Sequence, residues 1–241
     1  MQTTTSNEHS KLALPFVGRI KEAEQLERLH AQRRHALILG RPGVGKTELI
    51  RQFASRLPVL VCPRSVRLSD ICGALEQAFG LEAADLKQVQ RKNRLLLALA
   101  GTEPTVVFDG VGWTTPRLSS FLECVMARTP VWIAARSEHS WDIGHVWPLL
   151  GRVERVEVHP FHTAETRALV EAAVRDGVVS SEAWRIVEWL HRRSGGVPLV
   201  LRELLEELAS GHYDLTSTHA LRRLELDRRI HNLFPIAPVA T

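Results

Sequence analysis

The residues Gly40-Arg41-Pro42-Gly43-Val44-Gly45-Lys46-Thr47 have the types and spacing of a phosphate-binding loop, G-x-x-x-x-G-K-[ST]. Such a loop needs glycines, because its backbone curls around phosphate oxygens with several N–H groups turned inward, in conformations that a Cβ obstructs. Gly40, Gly43 and Gly45 meet that need. Lys46 is expected to reach the β- and γ-phosphates, and the Thr47 hydroxyl to ligate Mg²⁺. Asp109 is the second candidate metal group, a carboxylate that can hold the same ion through its bound water. In isolation, an Asp before Gly110 reads equally well as a turn residue. Beside a phosphate loop, the metal role is favoured.

These groups need a strand to deliver the loop and a helix to follow it. Ala36-Leu37-Ile38-Leu39 is a short apolar run of the kind that forms a buried strand, and Leu49, Ile50, Phe53 and Leu57 then recur at helical spacing. The start of that helix adds unpaired N–H groups and the positive end of its dipole to an anion site. Further strands are expected at Val59 to Cys62, Thr105 to Phe108 ending at Asp109, Val131 to Ala135 ending at Arg136, and Val153 to Val158. Helices are expected from Ser69, with Ile71, Leu75 and Phe79 on one face, and from about Ala84 to Ala100. The alternation predicts an α/β fold, a parallel sheet flanked by helices, with ligands at the ends of the strands.

After Pro160 the periodicity is helical throughout, with segments opening at Thr163, at Ser180 or Ser181, and at Pro198. The expected organisation is a loose tail over 1–12, a nucleotide-binding α/β domain over 13–160, a helical lid over 161–212, and a C-terminal helix and tail over 213–241. The last part holds a short helix around Leu221 to Ile230.

At 241 residues, with 44% hydrophobic and 24% charged content, the chain has the composition of a folded globular protein. No apolar run approaches the roughly 20 residues of a membrane span, and Met1 to Ser10 lacks the pattern of a signal peptide, so a cytoplasmic location away from membranes is expected. Cys62, Cys72 and Cys124 contain no C-x-x-C pair and fit reduced thiols in the core better than a disulfide or zinc site. A net charge of +4 permits contact with a polyanion without identifying one.

With these residues in hand, the chain resembles the AAA+ class of ATPases and, within it, the STAND-type and Orc/Cdc6-like switch ATPases, over about Pro15 to Leu208. Leu14-Pro15-Phe16-Val17-Gly18-Arg19, followed by Glu22 and Leu26, looks like the entry box of that class, which lies against adenine and ribose; Ile20 and Lys21 depart from its acidic continuation. The resemblance implies ATP as the nucleotide and Val17 as a base contact. It places Arg136 at the sensor-1 position and Arg152 where such proteins carry an arginine finger for a neighbouring subunit, although a surface Arg is equally ordinary there. Ser194-Gly195-Gly196-Val197-Pro198-Leu199 looks like the G-x-P motif of the lid, whose proline, Pro198, packs near adenine; the glycine pair also reads as a helix C-cap. One departure stands out. The family's metal-binding strand ends in two acids, the second orienting the attacking water, whereas Gly110 follows Asp109 here. Loss of such a base costs roughly 10²- to 10⁴-fold in rate, so hydrolysis is expected to be slow. Glu138 is a candidate substitute, with a solvated loop acid as the plainer reading.

Three functions are compatible with these residues. The leading one is a switch ATPase that reports its nucleotide state to protein partners and assembles with copies of itself through Arg152. The second is an adaptor that binds duplex DNA with ATP, as the small transposition ATPases do, through Arg33, Arg34, Arg222, Arg223, Arg228 and Arg229; Glu225 and Asp227 interleave the latter group as on an ordinary solvated face. The third, a small-molecule kinase, fits a helical G-x-P lid poorly. Among the tryptophans, Trp132 is expected in the core, while Trp113 and Trp141, in loops, are candidates to anchor a partner.

Overall fold

The computed structural model describes residues 14–63, 67–81, 86–100, 103–210, 213, 219 and 221–226. The chain divides into two compact units, Arg19–His159 and a second formed by the residues up to Gly18 with those from Pro160 onward.

In the first unit the elements run α1 (Ile20–Ala31), β1 (Ala36–Leu39), α2 (Lys46–Ala54), β2 (Val59–Cys62), α3 (Leu68–Ala78), α4 (Gln88–Leu99), β3 (Thr105–Val111), α5 (Pro116–Met126), β4 (Val131–Ala135), α6 (Ser140–Ile143), a 3₁₀ segment Trp147–Arg152, and β5 (Glu154–Glu157). The strands form a five-stranded sheet in the order β2-β3-β4-β1-β5, every pair parallel. Parallel strands need crossovers, and the helices that supply them cover the faces, which is why β4 and the Val106 to Phe108 run of β3 are continuously apolar rather than alternating. The buried side chains of Leu37, Val106, Phe108 and Ile133 pack with Leu75, Leu95, Leu99, Phe121 and Leu122 from α3, α4 and α5. Trp132, expected in the core, is fully buried and meets the Phe53 ring edge-on, with centroids 5.7 Å apart.

In the second unit, α7 (Thr163–Arg175), a 3₁₀ segment Ser181–Ile186, α8 (Val187–Ser194) and α9 (Pro198–Ala209) close on a separate core that includes Leu169, Leu190, Leu201, Leu205 and Leu224. Leu14, Val17, Tyr213 and Leu221 pack against the same cluster. The first unit thus begins at Arg19, where 13–160 was expected, because the apolar side chains at the start of that span find their core among the helices.

Several local expectations are corrected. Ser69 does not cap α3: the cap lies two residues earlier, at Arg67, and the Ser69 hydroxyl donates to Asp70 instead. The segment from Ser181 starts as a 3₁₀ turn and becomes α-helical only at Val187. α4 begins at Gln88, and the earlier start at Ala84 lies outside the described residues, as do residues 227–241 with Arg228 and Arg229. The helices α1 and α5 were not anticipated. Cys62 and Cys72 are buried and Cys124 half-buried, all free thiols; burial pushes the Cys62 thiol up to about 12, which keeps it protonated and unreactive.

Candidate phosphate-binding site

The strand β1 lies between β4 and β5 and ends at Leu39, so Gly40 leaves the sheet at its carboxyl edge. The chain then turns, with the Val44 N–H donating to the Arg41 carbonyl at 3.4 Å, and enters α2 through Gly45, whose φ of 98° is left-handed. Gly43, at φ 80°, is left-handed too. A side chain at either glycine would strain the turn that aims successive N–H groups at one point. No side chain caps α2, and its first backbone bond runs from the Leu49 N–H to the Gly45 carbonyl. The amides before Leu49 are left without a helical acceptor, which is the anion-binding arrangement of a helix start.

Lys46 folds back over the loop, its ammonium donating to the carbonyls of Gly40 at 2.6 Å and Arg41 at 3.2 Å. Burial pushes its pKa below the ordinary lysine value, and the nearby Asp109 carboxylate opposes the shift. The Thr47 hydroxyl donates to Asp109 Oδ2 at 2.8 Å. These two residues, 62 positions apart in sequence, therefore present an alcohol and a carboxylate oxygen to one spot beside the loop. That donor set fits Mg²⁺, which takes one or two protein oxygens and completes its shell with water and phosphate. No group of three or more His, Cys, Asp or Glu exists among the described residues to compete as a metal site.

The position after Asp109 is shaped by the backbone. The pairing of β3 with β4 slips between Phe108 and Val111, a bulge, and Gly110 within it has a φ of 68°. β3 accordingly continues to Val111 instead of ending at Asp109, which stays 6% exposed inside the strand. Glycine at 110 is thus the residue this bulge accommodates without strain.

One participant was missed in the sequence. Arg19, 3% exposed, has a left-handed φ of 64° and sends its guanidinium to the Val44 carbonyl at 2.7 Å and to Glu22 at 3.0 Å. The entry-box resemblance includes Arg19 and Glu22 but gives no sign that the guanidinium reaches the phosphate loop.

No protein-family model and no curated protein matches this chain. Solved structures do. A Walker-type ATPase of Pyrococcus abyssi superposes with a TM-score of 0.61 at 19% identity, over 89% of this chain and 73% of that one. Cdc6p from Pyrobaculum aerophilum gives 0.61 at 15%, over 86% and 64%. The Orc1 protein of Aeropyrum pernix, solved in complex with DNA, gives 0.64 at 17%, over 93% and 70%. The fold is that of the Orc/Cdc6-like AAA+ ATPases. This chain spans less than two thirds of the Cdc6p chain, 64%.

On this AAA+ fold the remaining site residues are distributed as follows. Arg136 follows β4, is exposed, and is held by the Asp142 carboxylate, with Nε at 2.7 Å. That hydrogen bond raises the pKa of the guanidinium and lowers that of the carboxyl. Glu138 is paired with Arg155 of β5 at 2.6 Å. Arg152 ends the 3₁₀ segment before β5, exposed and without an ion pair among the described residues. In the other unit Val17 is half-buried against the helical core, and Pro198 is the first residue of α9. Gly195 caps α8 in a left-handed conformation, and the Gly196 carbonyl accepts the Phe161 N–H at 2.7 Å, so the glycine pair acts as the C-cap considered above. No described helix is long and apolar enough to cross a membrane.

Proposed function

We propose that this chain binds Mg²⁺·ATP on residues 40–47 and hydrolyses it slowly, as a switch whose nucleotide state is read by partners. The observation that supports the reading is the 2.8 Å contact between Thr47 and Asp109, an alcohol and a carboxylate oxygen brought together beside the glycine loop as Mg²⁺ coordination there would require. In this reading the loop amides and Lys46 hold the β- and γ-phosphates, and Thr47 and Asp109 hold the metal directly and through water. The bound Mg²⁺ supplies charge neutralisation at the transferred phosphoryl group. Val17 and Pro198 would contact the base, and Arg136 would sense the γ-phosphate after exchanging Asp142 for it. Arg152, free of any described ion pair, would reach the nucleotide of a second copy.

Calorimetry with ATP, ADP and a non-hydrolysable analogue, each with and without Mg²⁺, tests the binding. We expect magnesium-dependent uptake of ATP that Lys46→Ala weakens at least roughly 100-fold, about 2.7 kcal/mol. Undiminished uptake by that variant would refute the assignment. Size measurement in the same nucleotides tests assembly, and Arg152→Ala is expected to abolish any concentration-dependent rise in hydrolysis.

A second reading, an ATP-dependent adaptor on duplex DNA, draws on the DNA complex of the Orc1 structure and on the exposed Arg222 and Arg223. Against it, Arg34 is paired with Glu154 at 2.7 Å and Arg33 donates to the Glu103 carbonyl. Salt-sensitive retention of duplex DNA in ATP but not ADP would favour the adaptor. A protein partner would find its anchors in Trp113 and Trp141, 57% and 73% exposed; if Trp113→Ala leaves every assembly unchanged, that role is withdrawn.

A further inference from the structure

The peptide group joining Val44 to Gly45 runs into a left-handed glycine, Gly45 at φ 98°, and a second, Gly43 at φ 80°, precedes Val44. The Gly45 flank has no Cβ to resist rotation of that peptide, while the Val44 flank is anchored through its side chain, which is fully buried. In a trans peptide the carbonyl and the following N–H point in opposite directions. Whatever fixes the Val44 carbonyl therefore fixes the Gly45 N–H as well, one of the amides that must face a phosphate.

Arg19 fixes it. Its guanidinium reaches across 25 positions of sequence to donate to the Val44 carbonyl at 2.7 Å. The other end of the same planar group is bound to the Glu22 carboxylate at 3.0 Å, so the fork cannot swing. A guanidinium this deeply buried is retained only with its charge and donors matched, and the backbone beneath it holds a conformation that few non-glycine residues adopt. The Arg19 carbonyl also accepts the Ala23 N–H at 2.9 Å, which makes α1 the rigid base of the arrangement.

We propose that Arg19 is a positioning residue for phosphate binding: by holding the Val44 carbonyl outward it keeps the Gly45 N–H turned into the loop. This rests on the reading of residues 40–47 as a phosphate site. It adds a requirement that the loop's own motif does not contain, since a peptide that leads into a glycine can otherwise flip and present a carbonyl to the anion.

The full-length chain, titrated with Mg²⁺·ATP, inorganic tripolyphosphate and adenosine, tests it. Wild type is expected to take up tripolyphosphate, and Lys46→Ala to lose that uptake; if wild type takes up none, the phosphate reading fails and this inference with it. Given wild-type uptake, Arg19→Gln is expected to weaken ATP and tripolyphosphate by a common factor of about ten, the loss of one charge-assisted contact, with adenosine unaffected. Arg19→Lys should recover part of the loss, because an ammonium reaches the carbonyl but does not bridge to Glu22 in one plane. A folded Arg19→Gln chain that melts earlier yet binds tripolyphosphate as wild type does would show a mere staple of α1 and overturn the proposal. Where Arg19→Gln does not fold, Arg19→Lys decides: a severalfold loss with a displaced Gly45 amide resonance supports the role, and wild-type affinity with an unmoved resonance refutes it.

Discussion

Between residues 40 and 47 the functional side chains are held by hydrogen bonds to the loop backbone and to β3. Lys46 lies on two loop carbonyls, Thr47 on Asp109, and the Val44 carbonyl on Arg19. Between residues 136 and 152 of the same unit, the candidate side chains face outward: Arg136 and Glu138 are taken up by Asp142 and Arg155, and Arg152 has no described ion partner. The first region is already held in the arrangement the proposed phosphate site needs, and binding there would require no side chain to leave a structural role other than Lys46 turning from carbonyl to phosphate. In the second, any contact with a nucleotide requires exchange of an ion pair or arrival of another molecule. Fixed donors act most strongly where charge is concentrated, whereas exposed pairs contribute little and exchange readily.

The sharpest way to break this contrast is at Asp109. Asp109→Asn keeps the shape and an acceptor for the Thr47 hydroxyl while removing the charge proposed to hold Mg²⁺. We expect hydrolysis to fall on the order of 100-fold and ATP binding to lose its magnesium dependence, with ATP uptake itself retained. Steady-state rates and calorimetry at varied Mg²⁺ read both quantities, and unaltered magnesium dependence would remove Asp109 from the prearranged set.

Gly110→Glu probes the boundary of that set. It restores the second acid of the resemblance at a position where the backbone is left-handed, so the variant should be less stable by about 1–2 kcal/mol in urea denaturation. Equal stability would mean that the bulge relaxes and that Gly110 is not required by the geometry.

The phosphate loop was legible in the sequence because its signal is local: glycines, a lysine and a hydroxyl at fixed offsets between an apolar strand and an amphipathic helix. The five strands were legible for the same reason, as apolar runs such as Val131 to Ala135 bounded by turns. What escaped depends on contacts between distant positions. Arg19 enters the sequence only as the last residue of the entry-box resemblance, and its grip on the loop emerges when Val44 and Glu22 close around it. The bulge at Gly110 arises from pairing with β4, which no window on β3 contains. α1 buries only Leu26 and Leu29 among charged and polar neighbours, too few apolar positions to mark a helix by periodicity. Leu14 and Val17 are apolar enough for either core, and only the fold assigns them to the helices.

A smaller effect is expected at the root of the sheet. The Val131 N–H donates to His35 Nδ1 at 3.0 Å, so the ring must be unprotonated at that nitrogen, and burial lowers its pKa from 6.5. The folded state therefore disfavours the charged ring. Its stabilising effect is complete above about 6.5 and declines as pH falls from there toward the lower folded value, since the unfolded chain takes up the proton first. His35 is half-exposed, and solvent screening keeps the effect modest. The difference in urea midpoint between pH 7.5 and 5.5 should be smaller in His35→Asn than in the parent; an equal difference would assign the acid sensitivity to other histidines.

The smallest expected effect decides whether the outward region has any part in the chemistry. Asp142→Asn releases Arg136 without removing it, so a sensor role predicts a change in hydrolysis or in the preference for ATP over ADP. The released pair is exposed, which bounds the change at roughly fivefold. Arg136→Ala should then shift the same quantity in the opposite direction, because the cation itself is gone. If both variants match the parent in rate and in nucleotide preference, Arg136 serves only to fasten the turn after β4 to α6. The contrast between the two regions would then be one of function as well as of construction.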